Sequence, residues 1–173
     1  MATRREARER ALELCYEADI RGSDGAAVLD DLPVPPDPYA TQLVRGVDAH
    51  RTELDAEISR YAQRWTIARM PVIDRNLLRI GAYELAHCTD IPTGVVISEA
   101  VDLAKAYSTP DSGRFVNGLL ARLATVLRPG DPAVPVPALD RDLDDAVLGD
   151  TDLDDTDLDR TVLDGPVAPL DAT

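Results

Sequence analysis

The chain is poor in the residues that brace small folds lacking a large core. Two cysteines, Cys15 and Cys88, stand among 173 residues, and their placement fits neither a disulfide framework nor a zinc ligand set. Reduced thiols inside helices are the expectation. Aromatic residues make up 4%, with Trp65 and Phe115 each the sole residue of its type, so packing must come from aliphatic side chains and alanine. The two histidines, His50 and His87, lack the acid or cysteine arrangement of a catalytic triad, and no glycine-rich phosphate loop is present. No enzymatic activity, cofactor or metal is expected. No stretch approaches the roughly 18 apolar residues of a membrane span. The amino terminus opens on arginines and acids in place of an apolar leader core, so a soluble cytoplasmic protein is expected.

Lysine is nearly missing: Lys105 is the only one, and the other 17 bases are arginine. Arginine therefore cannot be read as selected for phosphate, because a GC-rich genome gives the same bias. Positive charge is scarce overall, with a net of -14, but the deficit is local. Residues 131–173 hold 13 Asp against Arg141 and Arg160, whereas residues 1–130 hold 19 acids against 16 bases. The low pI belongs to the end of the chain. A domain over residues 1–130 and an acidic extension over 131–173 follow.

Helical periodicity fills the first part. Ala7, Ala11, Leu14, Cys15 and Ala18 recur at three-four spacing between Arg4 and Ile20, and Gly22-Ser23-Asp24-Gly25 stops that helix. A short helical turn is expected from Ala26 to Leu32, before Pro33, Pro35, Pro36 and Pro38. Leu43, Val47, Leu54, Ile58, Tyr61 and Trp65 then keep one register, with Trp65 in the core and a joint within Gly46 to Ala49. Pro71 suits the first turn of the next helix, whose face carries Ile73, Leu77, Ile80, Leu85 and Cys88 together with Glu84. Pro92 ends it. Val95 to Ser108 carries a stripe of Val96, Ala100, Leu103 and Tyr107. Thr109-Pro110-Asp111 supplies a cap, a first-turn proline and an acid for a last helix, which buries Val116, Leu119, Leu120, Leu123 and Leu127 and stops before Pro129-Gly130. Nothing alternates as a strand does, so the domain is expected to be all-α.

Beyond Asp131, Leu143, Leu148, Leu153, Leu158 and Leu163 recur every five residues. That is little more than one coil of a pentapeptide solenoid, and a solenoid needs three or more repeats. Asp150, Asp152 and Asp154 mimic the start of an EF-hand loop, but Asp155 replaces its glycine and Thr161 its bidentate glutamate. High charge without aromatics makes residues 131–173 a disordered extension.

An RNA site needs cations for phosphates and flat groups for unstacked bases. Arg4, Arg5, Arg8 and Arg10 supply the first, and Phe115 with Arg114 the second. The interleaved Glu6, Glu9 and Glu13 equally suit a salt-bridged, solvated face. Glu84 lies among apolar neighbours and must sit at a rim or meet a partner's cation. Tyr16 projects away from the buried stripe, as a partner anchor does.

Three runs carry a resemblance: Leu78-Arg79-Ile80-Gly81-Ala82-Tyr83-Glu84-Leu85, Glu99-Ala100-Val101-Asp102-Leu103-Ala104-Lys105, and Phe115-Val116-Asn117-Gly118-Leu119-Leu120. Over residues 3 to 128 the chain resembles the NusB family of bacterial transcription antitermination factors. The resemblance implies two packed helical bundles. It also implies binding of boxA RNA of ribosomal RNA operons through Arg4, Arg5, Arg8, Arg10, Asp111, Arg114 and Phe115. Tyr16 and Glu84 would meet NusE, a small-subunit ribosomal protein, within an RNA polymerase antitermination complex. The Phe-Val-Asn-Gly element is shared with the RNA-binding domain of certain ribosomal RNA cytosine methyltransferases, which makes that domain the rival reading. A structural homodimer is the third. The acidic extension is expected to compete with RNA for Arg4, Arg5 and Arg8.

Overall fold

The computed structural model describes residues 2–62 and 65–131, and readings made on the acidic run after Asp131 lie outside them. Seven α-helices carry the described chain: α1 Arg4–Arg21, α2 Gly25–Asp30, α3 Pro38–Ala49, α4 Arg51–Tyr61, α5 Val72–His87, α6 Thr93–Tyr107 and α7 Ser112–Leu127. A 3₁₀ turn, Ile67–Arg69, precedes α5. Among the described residues there is no strand, so the fold is all-α as expected.

Local chemistry sets most of the ends. Thr3 and Glu6 close a reciprocal capping box at the start of α1, satisfying two amides that helix geometry leaves open. Gly22, at φ 66°, ends the helix in the left-handed conformation, its amide reaching back to Ala18 and Asp19. The joint between α3 and α4 falls at His50, one residue beyond the expected window. Two expectations near α7 are corrected. The helix starts at Ser112, with Asp111 at the cap position and making no side-chain capping bond, so Pro110 lies outside it.

Helices α1, α2 and α3 pack on one another, α6 and α7 pair, and α4 covers α5 and α7. Helix α5 contacts both groups, which explains its nearly continuous burial from Asn76 to Leu85. Close approach of α3 to α5 depends on Gly46, where an added Cβ would stand 2.1 Å from the Tyr83 ring. Both thiols are buried, and burial pushes the Cys15 pKa up to about 12, so it stays an unreactive packing group. Two readings of the core are corrected. Trp65 is 38% exposed and Tyr107 half exposed: Trp65 lies past the end of α4 at Tyr61, and Tyr107 is the last residue of α6.

Candidate nucleic-acid and partner interface

Rotation of about 100° per residue along α1 puts Arg4, Arg8 and Arg5 within one sector and turns Arg10 well away from it. Arg4 and Arg5 are exposed and pair with Asp90 at 2.8 Å and Asp102 at 3.5 Å. Arg10 pairs with Glu13, one turn along, at 2.6 Å. Exposed pairs of this kind contribute little to stability, so replacing these acids by another anion would cost the guanidinium groups little.

Arg8 differs, and its expected role is corrected. Its side chain is 3% exposed and that of Glu84 1%. The guanidinium donates to both carboxylate oxygens over 2.8–3.1 Å, and the Tyr39 hydroxyl donates to the same carboxylate. Burial acts against the Arg8 charge, yet the Glu84 hydrogen bonds and charge hold its pKa above the ordinary arginine value. Burial and the same carboxylate push the Tyr39 pKa up, so its hydroxyl remains a donor. The cation that answers Glu84 is therefore this chain's own Arg8, and neither residue presents its charge to a partner. A signal existed: Arg8 lies about 20° from Cys15 on the helical wheel, at the edge of the buried stripe.

At the other end of the domain, Ser112 donates to Asp74 at 2.7 Å and bonds Ser108 and Thr109. These contacts tie the α6–α7 turn to the first turn of α5. The start of α7 then presents Asp111 and Arg114 to solvent, with Phe115 half-buried beside them. The Phe115 ring lies 6.1 Å from that of Trp65.

The structure keeps Arg4 far from the start of α7. Arg4 reaches Asp90 beyond the carboxyl end of α5, whereas Ser112 binds its amino end. Sixteen residues of helix separate them, on the order of 24 Å at 1.5 Å per residue. A strand with bases stacked about 3.4 Å apart needs roughly seven nucleotides to touch both. Tyr16 is exposed and lines a shallow groove with Leu12, Ile73, Tyr107, Glu9 and Glu13.

Two buried anchors escaped sequence reasoning. Asp19 accepts bonds from Arg51, Arg75, Arg79 and Asn76. Burial works to raise its pKa, but the Arg75 and Arg51 hydrogen bonds hold it below the usual carboxylate range. Arg128, past the end of α7, donates to the carbonyls of Glu84, Leu85, Cys88 and Ile91, closing the carboxyl end of α5. A basic residue just past a helix is the only local sign, and it does not say which helix is capped. Among the described residues, no three metal-ligating side chains converge, and no helix is long and apolar enough to cross a membrane.

These features define an all-helical docking domain, with arginines along its first helix and an aromatic-cationic start to its last. The NusB family model matches residues 5–125, and the chain belongs to the NusB family. The transcription antitermination protein NusB of Saccharopolyspora erythraea is 47% identical over 133 residues, covering 73% of this chain and 89% of that protein. Among solved structures, NusB of T. maritima has a TM-score of 0.67 at 35% identity, over 72% of this chain and 92% of that one. A crystal structure of antitermination factors NusB and NusE in complex with dsRNA contains a chain with a TM-score of 0.61 and 31% identity, covering 71% and 96%.

Proposed function

We propose that the chain is a transcription antitermination factor that binds boxA RNA of ribosomal RNA operons together with NusE and promotes read-through by RNA polymerase. It acts as a non-catalytic adaptor in the cytoplasm. The observation that carries this reading is the likeness to a chain solved with both NusE and RNA, which extends over 96% of that chain. Arg4, Arg5 and Arg10 on α1 meet phosphates, and Asp111, Arg114 and Phe115 at the start of α7 meet the same strand further along. Tyr16, with its groove, faces NusE. Arg8 and Glu84 serve both surfaces from within, by fixing α1 against α5.

Affinity of labelled boxA RNA, measured by anisotropy with and without NusE and against a scrambled sequence, tests the proposal. NusE is expected to tighten boxA binding, and boxA to tighten NusE by the same factor. Equal boxA affinity with and without NusE overturns the adaptor mechanism, and equal affinity for boxA and scrambled RNA overturns the target.

A further inference from the structure

The sole tryptophan occupies an odd place for so large an apolar group. Its backbone amide donates to Ala62 at 3.0 Å, fixing the turn that follows α4, yet the side chain keeps 38% of its surface in water. An aromatic neighbour supports it. The Phe115 ring lies 6.1 Å away at a tilt of 44°, an arrangement favourable between aromatic quadrupoles, and Phe115 in turn packs on the core. Phe115 is thus an anchored backing for an indole that stays partly exposed.

The chemistry around the pair selects among occupants. Arg114 directly precedes Phe115 on α7, Arg69 ends the 3₁₀ turn four residues after Trp65, and both are exposed, as is Thr66. Asp111 is the exposed acid of that helix start. A partly exposed indole in contact with Phe115, with exposed arginines next to each ring's segment in the chain, suits a ligand that is flat and carries phosphate on either side. Single-stranded nucleic acid has that form, its bases stacking on aromatic side chains while cations track the backbone.

We infer that Trp65 is a nucleobase-stacking residue, forming with Phe115 a two-ring platform for one unstacked base of single-stranded RNA. The inference rests on the proposed RNA-binding function and adds a residue to it. It places the platform on the segment between α4 and α5 as well as on α7, so the RNA path crosses that junction.

The single tryptophan makes the test direct. Full-length protein is titrated with a boxA oligoribonucleotide while indole emission and the anisotropy of end-labelled RNA are followed in parallel. Emission is expected to be quenched along the same curve that anisotropy traces. Trp65→Ala is expected to weaken binding about tenfold, within the range for loss of one stacked base, and Trp65→Phe to retain most of the affinity. Circular dichroism and melting establish that each variant is folded. Should Trp65→Ala fail to fold, quenching in the wild type and the affinity of Trp65→Phe decide the matter. RNA binding without quenching, with Trp65→Ala as tight as wild type, overturns the platform and leaves the RNA-binding function standing. Absence of any anisotropy change in the wild type overturns both. An emission change caused by NusE alone and none by RNA reassigns the face to a protein and overturns the platform.

Discussion

Replacing Arg8 by methionine leaves Glu84 a buried carboxylate with Tyr39 as its remaining side-chain donor. Glu99, 3.8 Å from the same guanidinium, also loses its cation. Breaking a buried pair from one side costs about 3–5 kcal/mol, because the surviving charge stays out of water without compensation. For a folded unit of this size, with about 4 °C of melting temperature per kcal/mol, Arg8→Met should melt about 12–20 °C below wild type. Removing both charges, in Arg8→Met/Glu84→Leu, should recover most of that loss, and adding Tyr39→Phe should recover more by removing a donor left without an acceptor. Urea denaturation of wild type, each single variant and the double variant gives the coupling energy directly. The reasoning fails if Arg8→Met costs less than about 1 kcal/mol, or if the two single costs simply add. Because Arg8 is interior, the variant, measured below its melting temperature, should also bind RNA with the wild-type salt dependence.

The exposed arginines make the opposite prediction. If Arg4, Arg5, Arg10 and Arg114 each neutralise one phosphate, log K should fall with log salt at a slope of about -2.8, at about 0.7 per contact on a single strand. Affinity should then drop about 50-fold between 50 and 200 mM salt, and alanine at any one of the four should flatten the slope by about 0.7. Asp19, whose pKa is held down in the fold, contributes stability that is present above its unfolded value near 3.9 and is lost as pH falls through the folded one. Asp19→Asn should be less stable at pH 7 and show a flatter decline in stability under acid titration, seen in melts from pH 7 to 2. Gly46→Ala drives a methyl into the Tyr83 ring and should cost at least the roughly 1–3 kcal/mol of an overpacked core in urea denaturation. Removal of residues 132–173, which carry 12 Asp, should raise RNA affinity at low salt and leave it unchanged at high salt.

What was legible in the sequence was what neighbours along the chain decide. Gly22 and Pro92 marked helix ends because backbone geometry at those residues is local, and the stripe of Ala7, Ala11, Leu14, Cys15 and Ala18 marked the buried face of α1 because helical spacing is local too. The need of Glu84 for a cation was also legible. Its supplier was not, since Arg8 is 76 positions away and looked like one more member of a surface cluster. Trp65 was misplaced because its register matched α4, whereas the helix ends at Tyr61 and the indole follows a turn. Arg128 and Asp19 each bind groups from distant helices, and no spacing rule encodes such convergence.

The interior position of both native thiols has a practical consequence. With Cys15 and Cys88 shielded from reagents, a cysteine introduced on the outer surface of α1 or α7 can be modified selectively by a maleimide dye or a nitroxide. Such a label near either end of α5, paired with one on an RNA terminus, would report as a molecular ruler whether a bound strand follows the whole length of that helix or stops partway.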